Sequence, residues 1–468
     1  MSKPLKYRNV CEAVVANDLC IGCGICAGVC PTQVLGIQFN KYGEYKAVEV
    51  KAGCSECALC LRVCPFSNQA ENEDILATRS FGNIVGIQQR PETGYYLDCF
   101  VGYSKVNRNR DCGSSGGLAR WFLESLLESR YADYVVCVTK NSGPDKLFQF
   151  QVLNDVEAVR AVAKSAYYPV ELLEVVQSIL LTEGRYVITG TPCFLKALRL
   201  AMLSNQTLRK RIVMLVGLVC GKMKSKFYAE YCCALGGGDP THLVSADFRV
   251  KDPSYPANNF GFQAQWIERG NVALTRKVFF SELAEVAWPA YFTPTPCNYC
   301  DDIFAEVADV VFMDAWLPDY TNDRKGNSLV LCRSILARDL LTSGAQKGDL
   351  SVTSLDITAV IQSQKSVIRR KREELAHQLY LDTLPRNSRN YSLKKRVLPK
   401  RLPSIAWRIS YALRERMRLE SREVFSRNRS VQAVDSSLFV EKEIYKILER
   451  SRALVKTVSY KLPRLSKD

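Results

Sequence analysis

Two cysteine runs near the start of the chain carry the plainest chemistry in the sequence: Cys20-x2-Cys23-x2-Cys26-x3-Cys30-Pro31 and Cys54-x2-Cys57-x2-Cys60-x3-Cys64-Pro65. Three cysteines at intervals of three let one loop wrap the corners of a 4Fe-4S cubane. The fourth, followed by a proline that turns the chain, reaches across to the other cluster. The spacing therefore assigns Cys20, Cys23, Cys26 and Cys64 to one cluster, and Cys54, Cys57, Cys60 and Cys30 to a second. Zinc also uses C-x2-C pairs, but a tetrahedral ion takes four ligands and leaves two complete four-cysteine runs unexplained. Two such clusters carry single electrons and catalyse nothing alone, so any substrate chemistry must lie downstream.

Two weaker constellations follow. Residues 111–129, DCGSSGGLARWFLESLLES, place Gly113, Ser114, Ser115, Gly116 and Gly117 directly before a helical pattern with Leu118, Phe122, Leu126 and Leu127 on one face. Free backbone amides at a helix start suit a phosphate or pyrophosphate, although a flexible turn with a helix cap reads the loop equally well. Four more cysteines end apolar runs or sit in tight turns: Cys193 in Gly-Thr-Pro-Cys, Cys220 in Leu-Val-Cys-Gly, and Cys297 with Cys300 in Pro-Cys-Asn-Tyr-Cys-Asp-Asp. A C-x2-C pair needs two partners, and strand ends of an α/β sheet gather along one edge, so the four suit a third cluster. A redox disulfide between Cys297 and Cys300, with Cys193 and Cys220 as core cysteines, is the alternative.

The elements that must position these residues are legible in outline. Residues 1–75 are cysteine-dense, as a module is whose clusters replace a hydrophobic core. From about 95 to 345, short apolar runs (Tyr134 to Val138, Tyr186 to Thr189, Ile212 to Val219, Val310 to Met313) alternate with helical patterns such as Leu118 to Glu128 and Val170 to Leu181. That alternation predicts an α/β (α+β) core behind a ferredoxin-like two-cluster domain, with the core divided at about residue 168. Residues 346–468 read as a basic tail, helical or partly disordered. Of a net charge of +16, residues 369–468 supply +15, with 26 Lys and Arg against 11 Asp and Glu. The tail includes RRKRE at 369–373 and LKKR at 393–396, and Ile405, Ile409, Leu413 and Met417 fall four apart among Arg408, Arg414, Arg418 and Arg422. An amphipathic basic helix of this kind suits an anionic membrane surface or a partner protein. A solvated helix packed on its own domain is the plainer reading. A basic tail is also a form that binds nucleic acid, but with the first 368 residues near neutral, nucleic acid is not the expected partner. Nineteen cysteines, mostly in regular repeats, point to metal ligation in a reducing compartment. No apolar run approaches a membrane span, so the expectation is a cytoplasmic chain, with peripheral membrane contact as a second option.

Taken in order, the loop at 113–117, Gly190-Thr191-Pro192-Cys193, Cys220 and CNYCDDIFAEVADVVFMDAW at 297–316 resemble the coenzyme F420 hydrogenase/dehydrogenase beta subunit family over roughly residues 1–345. The resemblance implies an iron–sulfur flavoprotein oxidoreductase. Such a protein passes electrons between ferredoxin or reduced coenzyme F420 and an organic substrate, through 4Fe-4S clusters and FAD. It implies that Gly113 to Gly117 sit against the flavin phosphates, with Lys164, Ser165 and Tyr167 beside them. It further implies that Cys193, Cys220, Cys297 and Cys300 ligate a third 4Fe-4S cluster. The alternative role is an electron-transfer subunit of a larger complex, or a bacterial relative in polysaccharide or tetrapyrrole metabolism. Phe194, Gly221 and Met313 stand where the family often has Gln, His and Gly, which leaves coenzyme F420 as substrate and the identity of any small-molecule substrate open. With only His242 and His377 in the chain, Asp314, Lys164 or Tyr167 are the candidates for moving a proton.

Overall fold

The computed structural model describes residues 7–141, 146–161, 164–385 and 393–461; residues 1–6 of the N-terminal module and 462–468 of the tail lie outside the described residues. The four apolar runs become Tyr134–Lys140, Tyr186–Gly190, Ile212–Leu218 and Val310–Asp314, and they pair in parallel. They form the middle of an eight-stranded sheet. Antiparallel strands complete it: Phe148–Leu153 on one side, and Ser328–Cys332, Asp98–Ser104 and Leu350–Ser354 on the other. Tyr186–Gly190 is buried along its whole length, as a parallel strand covered on both faces must be. The core does not close at residue 345, because Leu350–Ser354 forms the sheet's far edge against Asp98–Ser104.

Alternation along the strands divides the core. Val135, Val187 and Val216 face the helix Leu118–Glu128, while Val136, Ile188 and Leu215 face the other way. There they meet the helices Leu173–Leu181 and Pro192–Ser204 and the N-terminal module. The helix expected from Val170 begins at Leu173, because the Leu172 amide donates to Cys23 O at 2.9 Å instead. The module consists of a short helix Ile25–Gly28, a hairpin of Leu35–Phe39 with Tyr45–Glu49, and a helix Leu59–Val63. Gly24 lies at φ +81° and its missing Cβ would fall 2.7 Å from Leu173 N. Only glycine lets the first cysteine loop lie this close to the core.

A second, antiparallel sheet (Leu243–Val250, Gly261–Glu268, Asn271–Leu274, Val278–Phe279) was not anticipated. The tail is helical, in Ile357–Asp382, Ile405–Asn428, Val431–Ser437 and Phe439–Lys461. It is no appendage, since Met417 and Phe425 share a hydrophobic cluster with Phe248 and Phe262 of the second sheet. The expected apolar stripe also divides: Ile405 is 67% exposed while Met417 is fully buried. Arg414, Arg418 and Arg422 turn inward to Glu374, Glu415, Asp18 and Glu44.

Candidate functional site

In the N-terminal module the two cysteine runs interdigitate. Cys64 has Cys23 and Cys20 of the first run among its electrostatic neighbours, and Cys60 of the second run has Cys57 and Cys30. Cys20 Sγ accepts the Ala47 amide at 3.4 Å, from the hairpin beside it. Burial first, then neighbouring thiols, push Cys26 and Cys64 well above the ordinary thiol value. A buried set of this kind becomes thiolate only with a cationic centre among its members, which suits a metal cluster.

The second cysteine group sits at the carboxyl ends of the parallel strands, where open α/β sheets bind ligands. Cys193 follows Tyr186–Gly190 in the first turn of Pro192–Ser204, and Cys220 follows Ile212–Leu218. Cys297 lies in the short 3-10 turn Thr295–Tyr299, and Cys300 follows it in extended backbone. The Cys220 amide donates to Ile303 O at 3.1 Å and joins the two segments. Cys193 is pushed well up by burial first, then by Cys300, Cys220 and Cys297 together. Met223 touches two of the four: its amide donates to Cys297 Sγ at 3.3 Å and its sulfur lies 4.0 Å from Cys193 Sγ. Among the described residues, no group of three or more His, Cys, Asp or Glu side chains closes on a single metal ion.

A narrow cleft is lined by Ser114, Ser115, Arg249, Lys251, Asp314 and Trp316 among others. The glycine loop borders it. Gly117 caps the helix Leu118–Glu128 at φ +79°, and a Cβ on Gly116 would fall 2.4 Å from Gly102 O and 2.6 Å from Ser328 N. Two of the loop's amides already have partners, Gly113 with Asn109 O and Gly116 with Ser328 Oγ. The Ser165 amide and hydroxyl meet Ser114 Oγ at 2.8 and 3.1 Å, so the segment 164–167 and the loop converge. Lys164 lies 3.6 Å from Asp247.

Positive charge concentrates at this cleft. Arg249 grips Asp314 with two bonds of 3.0 and 2.6 Å, lies over the Phe260 and Trp316 rings, and donates to Ser114 O at 3.1 Å. Its Nε is buried without a hydrogen-bond partner, and its backbone is held at φ +60°, a strain that clusters at functional sites. Lys251 Nζ donates to Ser115 O at 2.8 Å. Burial, then Arg110, Arg249 and Lys164, bring the Lys251 ammonium down to about 7. Tyr167 connects cleft and cysteines: burial raises its phenol, opposed by Arg249, while Asp314 and Cys220 also act on it.

Arg249, Lys251, Met223 and Lys371 escaped the sequence reading. Arg249 and Lys251 sit two apart at the end of a strand, an alternation visible in Phe248-Arg249-Val250-Lys251 once that strand is recognised. Lys371 is buried and donates to Cys300 Sγ at 3.4 Å, yet in the sequence it is hidden within the run at 369–373.

An interdigitated dicluster module ahead of an α/β core defines an iron–sulfur electron-transfer protein. Residues 19–68 match the 4Fe-4S dicluster domain. Residues 99–177 and 183–358 match the N-terminal and C-terminal domains of the coenzyme F420 hydrogenase/dehydrogenase beta subunit. The chain belongs to that family. Its module is 35% identical over 65 residues to a ferredoxin of Pyrobaculum islandicum, covering 14% of this chain and 54% of that protein. It is 39% identical over 54 residues to an uncharacterized ferredoxin of Methanocaldococcus jannaschii, covering 12% of this chain and 69% of that protein. The chain thus spans about half the length of the first of these relatives. A chain from the xenon-derivatised F420-reducing NiFe hydrogenase complex of Methanosarcina barkeri superposes with a TM-score of 0.48 at 16% identity, covering 66% of this chain and 99% of that one. Among the described residues no helix is long and apolar enough to cross a membrane.

Proposed function

We propose that the chain is the electron-transferring subunit of a larger redox complex and works with ferredoxin-type or coenzyme F420-type partners. In this reading the eight N-terminal cysteines hold two 4Fe-4S clusters. Cys193, Cys220, Cys297 and Cys300 hold a third, and the cleft at Gly113–Gly117 holds FAD. Bound there, clusters carry electrons singly and a flavin takes or gives two, so one chain can join one-electron and two-electron partners. The observation that carries the reading is the proximity at Tyr167, whose buried phenol feels Arg249, Asp314 and Cys220 alike. Arg249, Lys251 and Lys164 supply the charge that diphosphate oxygens require, and Ser114 and Ser115 line the same wall. The helix Ile357–Asp382 covers both places: Ser363 Oγ and Gln364 Nε2 reach Asp314 O, and two turns further on Lys371 reaches the Cys220 and Cys300 segments. That separation is about 12 Å along the helix axis.

The test is iron, acid-labile sulfide and flavin per chain after anaerobic purification, together with the composition of the purified material. The reading expects about twelve irons, one flavin and a partner chain in fixed ratio. About eight irons without flavin would overturn the third cluster and the flavin cleft. A chain purifying alone while reducing a small molecule would overturn the subunit role.

A further inference from the structure

We propose that Lys371 raises the reduction potential of the cluster assigned to Cys193, Cys220, Cys297 and Cys300, acting as a positioning residue through the Cys300 sulfur; the inference rests on that assignment. Lys371 lies in the middle of the 26-residue helix Ile357–Asp382 and is only 6% exposed. Its Nζ donates to Cys300 Sγ at 3.4 Å, to Asp302 O at 2.8 Å and to Cys220 O at 3.4 Å. One ammonium therefore ties together both cysteine segments of the site.

The other buried lysines have different company. Lys46 meets Glu44 and Lys196 meets Glu73, each within ion-pairing distance, while Lys224 is wrapped by the carbonyls of Ala287, Trp288 and Tyr291. Lys371 alone of these donates to a cysteine sulfur, and among the described residues no carboxylate lies within ion-pairing distance of it. A buried ammonium with only two carbonyls and a thiol for company is costly. Four thiolates around a cluster supply the counter-charge that the protein's carboxylates do not.

Reduction of the cluster is a one-electron step in which no bond forms or breaks, with the electron delivered by a low-potential donor of the ferredoxin class or by dithionite in vitro. The added negative charge falls closest to the cation that already donates to a ligand sulfur. Charge and hydrogen bonds to cluster sulfurs are the levers that move such potentials, so Lys371 stabilises the reduced form more than the oxidised one.

The experiment is an EPR-monitored redox titration of the full chain, native, K371Q and K371R, with iron counted in each. The expected result is that one midpoint falls in K371Q while the two N-terminal midpoints hold, and that K371R stays near the native value. Should K371Q lose the third cluster, retention of about twelve irons by K371R still supports the role of the charge, and loss of about four irons from both overturns it. Three native signals with no midpoint moved in K371Q refute the inference alone. A native chain with only two clusters refutes the assignment beneath it.

Discussion

If the cleft holds FAD as proposed, Lys251 makes that binding depend on pH, with a sign and size that follow from its surroundings. The ligand-free chain holds this ammonium at about 7, because it is buried beside Arg110, Arg249 and Lys164. A diphosphate placed against it returns the group toward the ordinary lysine value, roughly 10.4. The bound state therefore keeps a proton that the free state sheds above neutrality, and binding weakens as pH rises. Protonation of the free site falls from about nine-tenths at pH 6 to about one-hundredth at pH 9, so the Kd for FAD rises about 90-fold, or about 2.7 kcal/mol. Stability of the ligand-free chain runs the other way. A lysine whose folded value is depressed leaves more protons on the unfolded chain, so its contribution to stability grows with pH between about 7 and roughly 10.4. Anaerobic equilibrium dialysis against FAD at several pH values measures the first effect. K251R, charged throughout, binds without a slope, and K251M binds weakly without a slope. A native Kd that is flat across this range, or a K251M slope equal to the native one, refutes the reasoning.

Arg396 reaches Asp74 of the N-terminal module and the buried Asp301 and Glu306 beside the second cysteine group; R396M leaves these acids unpaired and costs about 3–5 kcal/mol, read as earlier unfolding in urea under anaerobic conditions. G116A drives a Cβ against backbone on two sides, Gly102 O and Ser328 N, where no side chain can swing aside. The loop must shift, at a cost of roughly 1–3 kcal/mol, and the purified chain carries less flavin than native protein while its iron count is unchanged.

Much of this architecture can be read from residue types because it rests on local rules. Paired C-x2-C-x2-C-x3-C-P runs have one sensible use, and β-branched runs such as Ile212–Leu218 find their place in a parallel sheet with no further information. Leu118–Glu128 matches its apolar spacing to the residue. What is not legible depends on distant partners. Ile405 and Met417 belong to the same four-residue spacing, yet only Met417 is buried, because the second sheet covers that part of the helix. Lys371 cannot be told from Arg369 or Arg370 until the helix phase is known, and that phase is set by what lies beneath, namely Asp314 O, the Cys220 segment and Cys300. The Gly113 loop reads as a phosphate cradle or a tight turn. Its geometry has features of both, with Gly116 pressed against backbone and Ser114 facing the cleft.

The tail's basic charge and the cysteine sites belong to one electrostatic problem. Cluster-binding loops gather thiols and carboxylates where water is excluded, and here Asp18, Glu44, Asp301, Glu306 and Glu374 stand close to them. Negative charge collected in such a place destabilises the fold unless cations are brought in from elsewhere. The chain brings them from its far end: Arg396 to Asp301 and Glu306, Arg414 to Glu374, Arg422 to Asp18 and Glu44, and Lys371 to the Cys300 sulfur. Part of a net charge that looks like a polyanion-binding tail in the sequence is thus internal counter-charge.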